Sequence, residues 1–141
     1  LYCSTIPLKP GVQEFLDEML AKKVPMAVAT ATSRPLVEKV LAHHQLTSHF
    51  QSITTVAEAG IGKHDPKVFL MAADKLGMAP SRCIVFEDSL KAAFRAKTAG
   101  FDTIAIYEKS NLSEQAALEA ESTLYIHDFV NLTALHGKLF E

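Results

Sequence analysis

Apolar positions along this chain switch repeatedly between short continuous runs and stripes spaced three and four apart, the marks of buried strands and one-sided helices. Pro10 opens a helix in which Phe15, Leu16, Met19 and Leu20 share one face. Val24-Pro25-Met26-Ala27-Val28-Ala29 then reads as a strand running into Thr30-Ala31-Thr32-Ser33. Hydroxyl side chains there are suited to cap the next helix, whose inner face is expected at Leu36, Val37, Val40 and Leu41. A second strand is predicted around Ser52 to Val56, and Gly60-Ile61-Gly62-Lys63-His64 reads as a loop.

Asp65-Pro66 predicts a helix start, an N-cap followed by proline at the first helical position. Val68, Phe69, Ala72, Ala73 and Leu76 form that helix's buried stripe, and Gly77 stops it. Cys83 to Phe86 is the third strand, Ser89 to Ala99 a helix of small residues ended by Gly100, and Thr103 to Tyr107 the fourth strand. Ser113 is a candidate N-cap for a helix near Glu114 to Glu121. A short Leu124-Tyr125-Ile126 strand and a helix near Phe129 to Leu139 follow. Such alternation implies an α/β fold, a largely parallel sheet between two helical layers.

Composition narrows the picture without redirecting it. The 141 residues fit one domain, with no internal repeat or linker. A net charge of -2 offers no electrostatic basis for binding nucleic acid or an anionic membrane, and no apolar run approaches the roughly 20 residues that span a bilayer. Cys3 and Cys83 are far apart and read as reduced thiols of a cytoplasmic protein. The start, Leu1-Tyr2-Cys3-Ser4, has neither an initiator methionine nor a signal-peptide pattern, and we expect a fragment of a longer protein.

The chemistry lies where runs end. In parallel sheets ligands bind beyond the carboxyl ends of the strands. Thr30, Lys63 and the Glu87-Asp88 pair all fall at strand ends or in adjoining loops on that side. A hydroxyl and free N–H groups at a helix start bind phosphate oxygens, a lysine adds a point charge, and adjacent carboxylates are hard ligands suited to magnesium. Together they specify phosphoryl transfer. Taken singly, each has a plainer role: Thr30 as a helix cap, Lys63 as a solvated loop cation, Glu87-Asp88 as the start of a helix.

The segments around these residues resemble the haloacid dehalogenase superfamily. Thr30 after Met26-Ala27-Val28-Ala29 is similar to its motif two, Gly62-Lys63-His64-Asp65-Pro66 to motif three, and Val85-Phe86-Glu87-Asp88-Ser89 to motif four. The flanking Ile6-Pro7-Leu8-Lys9-Pro10-Gly11-Val12, Lys75-Leu76-Gly77 and Ala96-Lys97-Thr98-Ala99-Gly100-Phe101 match as well, nearest to the branch of beta-phosphoglucomutase and small sugar-phosphate phosphatases. The resemblance implies a Rossmann-like three-layer core over residues 1–141. It implies that Thr30 bonds the transferring phosphoryl group with the Ala31 N–H, and that Lys63 neutralises phosphate and orients the nucleophile. Asp88 is then a Mg2+ ligand, and Glu87 a second ligand or a support through bound water. His64 stands where the family commonly has proline; it reads as a solvent-facing loop residue or a substrate contact.

One family feature is absent from the sequence. Motif one, Asp-x-Asp, supplies the aspartyl-phosphate nucleophile and an acid-base partner. Asp17, Asp65, Asp74, Asp88, Asp102 and Asp128 have no second Asp two positions on. Resemblance therefore implies a core lacking its first, nucleophile-bearing strand and its cap domain. Between the strands ending at Thr30 and Asp88 we expect two unpaired edges and a trough. Three functions fit: a magnesium-dependent phosphatase of a small phosphorylated metabolite, a sugar-phosphate mutase, or a non-catalytic binding or assembly module. The missing strand is expected from an N-terminal segment or a second chain.

Overall fold

The computed structural model describes residues 11–106, 113, 115–122 and 124–126. Its first sheet run pairs β1 (Ala27–Thr30) with β2 (Ser52–Thr55) in parallel, Ala27 opposite Ser52 and Thr30 opposite Thr55. The second run is β3 (Ile84–Glu87), β4 (Asp102–Ile106) and β5 (Leu124–Ile126), in that order and all parallel. The helices are α1 (Val12–Ala21), α2 (Arg34–His43), the single turn α3 (Val56–Ala59), α4 (Lys67–Lys75), α5 (Leu90–Thr98) and α6 (Gln115–Glu121). The expected helix near Phe129 to Leu139, Cys3 and Tyr107 lie outside the described residues.

Two helical layers enclose the strands. On one face Val37 and Leu41 of α2 pack with Leu16 of α1 against Val28 and Ile53. On the other, Val68, Phe69 and Ala73 of α4 join Ala92 and Ala96 of α5, and both Ala29 and Val85 pack on that cluster. The two sheet runs therefore share one core. Alanines let α5 lie close to β3 and β4, while Leu118 of α6 completes a neighbouring cluster with Ala93 and Ala105.

Helix ends follow from local chemistry. Gly77 at φ +69° terminates α4: the Met78 N–H donates to the Ala73 carbonyl and the Gly77 N–H to that of Asp74, the doubled bond of a left-handed helix stop. The α4 start shifts by one residue from its predicted position. Pro66 is the N-cap, and the Asp65 carboxylate accepts from the Lys67 N–H.

Some predicted boundaries and faces move. The first strand begins at Ala27, not Val24, and includes Thr30; the third begins at Ile84 and includes Glu87. Leu20 and Leu36, assigned to inner faces, are 42% and 46% exposed. Both helices run ten residues, and their buried stripes are the narrower pairs Phe15–Met19 and Val37–Leu41 at i,i+4.

Among the described strands, β1 pairs only with β2 and β3 only with β4. The sheet thus divides between the strand ending at Thr30 and the strand before Asp88, where a trough was expected. A cavity of about 990 Å³ occupies that division, with Phe15 and Met19 of α1 on one side and Phe69 and Ala73 of α4 on the other.

A buried histidine ties α1 to the segment before β2. His49, 7% exposed, donates from Nε2 to Asp17 Oδ1 at 2.7 Å, and Gln13 donates to the same oxygen. The bond from His49 holds the Asp17 carboxyl below the ordinary carboxylate range. A lowered folded-state pKa means stabilisation that is complete above the unfolded value and lost as pH falls through the folded one. Asp17→Asn should therefore lower the thermal midpoint at pH 7, and the gap from wild type should narrow as acid protonates the carboxylate. Melting curves across that range check this; a gap independent of pH would contradict it.

Candidate active site

The apolar run Ile84-Val85-Phe86 of β3 ends on Glu87, a carboxylate only 7% exposed. Burial of a charge requires partners, and both its oxygens have them. Oε2 accepts from Lys63 Nζ at 2.9 Å, and Oε1 accepts from the backbone N–H groups of Asp88 and Ser89 at 3.0 and 3.3 Å. The turn into α5 is thereby pinned, and Ser89 Oγ caps the helix through the Ala92 N–H.

Lys63 reaches this point from the loop between α3 and α4. Thr55 Oγ1 accepts from the Glu58 N–H to start α3, and Gly60 at φ +78° ends the turn after one cycle. The Lys63 ammonium lies 5.7 Å from the centre of the Phe69 ring, whose negative face favours a cation. One of its donors is spent on Glu87.

That ion pair also fixes the geometry of the sheet ends. Lys63 follows β2 and α3 in the chain, and Glu87 closes β3, so the carboxyl ends of both sheet runs lie on one side of the molecule. Thr30 closes β1, parallel to β2. Its Oγ1 accepts from the Thr32 N–H at 3.0 Å, an arrangement that turns the chain and directs the hydroxyl proton elsewhere. Ala31 is exposed in this turn, and Asp88 is half-buried just beyond β3. Lys63, Glu87 and Asp88 are thus joined by direct bonds, and Thr30 ends β1 on the other side of the sheet division.

The donor set decides what a magnesium ion would find. Glu87 has both oxygens engaged within the protein, so its position suits a support for Lys63 and the Asp88 turn. Asp88 supplies a half-buried carboxylate just after β3. Among the described residues no three His, Cys, Asp or Glu side chains cluster as a complete metal site. Magnesium is typically held by one or two carboxylates together with water and substrate phosphate, and Asp88 fits one such position.

A second charged cluster gave no clear signal in the sequence. Glu58 pairs with Arg34 at 3.3 Å and with Lys75 at 2.8 Å, and both cations also donate to the Ile53 carbonyl. The hydrogen bond from Lys75, with help from Arg34 and against the opposing effect of burial, holds the Glu58 carboxyl below its ordinary value. The cluster covers the outer edge of β2, an edge that would otherwise offer its carbonyls to another chain. Thr55 with Glu58 three residues on is the spacing of a capping box, the one sequence cue to α3.

Comparison with known proteins agrees with this architecture. Residues 1–100 match the haloacid dehalogenase-like hydrolase family, and the chain belongs to it. It is 32% identical over 111 residues to a phosphorylated carbohydrates phosphatase of Thermotoga maritima, covering 79% of this chain and 51% of that protein. The crystal structure of a putative beta-phosphoglucomutase from Thermotoga maritima superposes with a TM-score of 0.79 at 28% identity, over 91% of this chain and 59% of the other. CbbY from Rhodobacter sphaeroides, crystallised in complex with phosphate, gives 0.80 at 26% identity, over 89% of this chain and 56% of its own. The chain spans about half the length of the curated relative it matches.

Removing the Glu87 carboxylate leaves two backbone donors and a lysine without their acceptor. Glu87→Ala should cost about 2 kcal/mol of stability, discounted from a fully buried pair because Lys63 keeps access to water. Urea denaturation measures this, and an unchanged midpoint would contradict the anchoring role.

Proposed function

We propose that this chain is the core-domain part of a magnesium-dependent phosphatase of small phosphorylated metabolites, working through an aspartyl-phosphate. The observation that carries the reading is the placement of Thr30 and the Lys63–Glu87–Asp88 group at the carboxyl ends of parallel strands. Similarity to a phosphatase of phosphorylated carbohydrates supports a sugar-phosphate substrate.

Each residue has a chemical task. The Thr30 hydroxyl and the Ala31 N–H donate to phosphoryl oxygens, and Lys63, oriented by Glu87, balances their charge. Asp88 holds magnesium, which when bound draws charge from the phosphoryl oxygens. An aspartate carboxylate from outside the described residues attacks phosphorus as the ester P–O bond breaks, and the departing alkoxide takes a proton. Water then opens the acyl phosphate, releasing inorganic phosphate and restoring the carboxylate.

Two measurements test this. The 141-residue chain alone, with magnesium and a generic aryl phosphate, should show no useful turnover, and clear activity would remove the need for an outside nucleophile. In a longer form that supplies an Asp-x-Asp strand and is active, Asp88→Ala should lower kcat by about a hundredfold or more. Undiminished kcat would sink the metal assignment.

A further inference from the structure

We infer that the Arg34–Glu58 ion pair is a clamp between the two chain segments that carry Thr30 and Lys63. Arg34 and Glu58 are then positioning residues, which set these two segments relative to each other without touching substrate. The inference starts from where the segments leave the sheet. β1 and β2 end side by side, Thr30 opposite Thr55. From Thr30 the chain turns through Ala31, Thr32 and Ser33 into α2, whose first residue is Arg34. From Thr55 it passes straight into α3 and then, through Gly60, to Lys63. Arg34 thus stands four residues after Thr30, and Glu58 five residues before Lys63.

Burial does little to hold either segment. Between Thr30 and Val37 no residue is buried, and between Thr55 and Val68 only Ala59 is. Ser33, the N-cap of α2, makes no side-chain cap bond, and Thr30 Oγ1 accepts from the Thr32 N–H within the same turn. Arg34 supplies a tie outward: its Nη2 donates to the Ile53 carbonyl at 2.6 Å and to Glu58 Oε1 at 3.3 Å. One guanidinium nitrogen therefore fixes the α2 entry to both β2 and α3. The far side is anchored in turn. The Glu58 N–H donates to Thr55 Oγ1 at 3.1 Å, and Lys63 Nζ donates to Glu87.

Lys75 separates this role from cover of the β2 edge. It donates to the same Ile53 carbonyl at 3.2 Å and to Glu58 Oε2 at 2.8 Å, so it covers the edge as Arg34 does. It lies, however, in the last turn of α4, a helix held by the buried Val68, Phe69, Ala72 and Ala73. Losing Lys75 thins the edge cover and leaves Arg34 with Glu58. Losing Arg34 removes the tie to the α2 entry. Both charges of the clamp stand partly in water, so its expected effect is modest.

Backbone 15N relaxation on the 141-residue chain reads the clamp without any ligand. In Arg34→Gln the order parameters of Ala31, Thr32 and Ser33 and of Ile61, Gly62 and Lys63 should fall together, from about 0.85 towards about 0.6. Glu58→Ala should do the same to a smaller extent, because Arg34 keeps the Ile53 carbonyl. Lys75→Gln should leave both segments as they are. Titration with orthophosphate and magnesium, read at the Thr30, Ala31 and Lys63 amides, then measures positioning; this arm rests on the phosphoryl-transfer reading. Arg34→Gln should bind phosphate about three- to fivefold more weakly, and Lys75→Gln as wild type does. The double variant Arg34→Gln with Glu58→Ala should be no weaker than Arg34→Gln alone, since the two residues act through one contact. Unchanged order at either segment in Arg34→Gln, an equal loss in Lys75→Gln, or wild-type phosphate affinity in Arg34→Gln would overturn the inference. A wild-type chain that binds no phosphate, with order falling as expected in the variants, would support the clamp and sink the phosphoryl-transfer reading instead.

Discussion

The ion pair between Lys63 and Glu87 is the interaction on which the arrangement of this protein depends. It is short, 2.9 Å, and it joins a loop of one sheet run to the last residue of a strand in the other. Glu87 is buried, so its charge is tolerable only because an ammonium and two backbone N–H groups surround it. Lys63 is held in turn, its ammonium between Glu87 and the Phe69 ring. One bond thus stabilises the turn into α5, orients a cation, and sets Thr30 and Asp88 on the same side of the molecule.

The second constraint is the demand of a buried strand for partners on both edges. β2 meets it at its outer edge with the Arg34–Glu58–Lys75 cluster, where charged side chains stand in for a neighbouring strand. Between β1 and β3 no such cover stands among the described residues, and the shared α4–α5 cluster holds the two banks as one core. Thr30 and Glu87 end the two strands that border this gap.

Much of this was legible in the sequence. The sequence pattern located all five described strands; β1 and β3 stood out because buried parallel strands are written as nearly continuous apolar runs. Glycine and proline marked the α4 and α5 ends because their backbones force a stop or a start. Candidate site residues stood out at run ends, since ligands bind at strand ends in such sheets. Three things could not be read. The partners of Glu87 depend on a contact 24 residues away, the exposure of Leu20 and Leu36 on how wide a stripe tertiary packing covers, and the β2 edge cluster on three helices meeting.

The most direct test of the site itself is a titration of this chain with orthophosphate and magnesium, followed through backbone amide resonances. The amides of Thr30, Ala31, Lys63 and Asp88 should shift together and saturably, with the Arg34, Glu58 and Lys75 cluster unaffected. Shifts confined to Arg34 and Lys75, or none at the strand ends, would contradict a phosphoryl-binding site there.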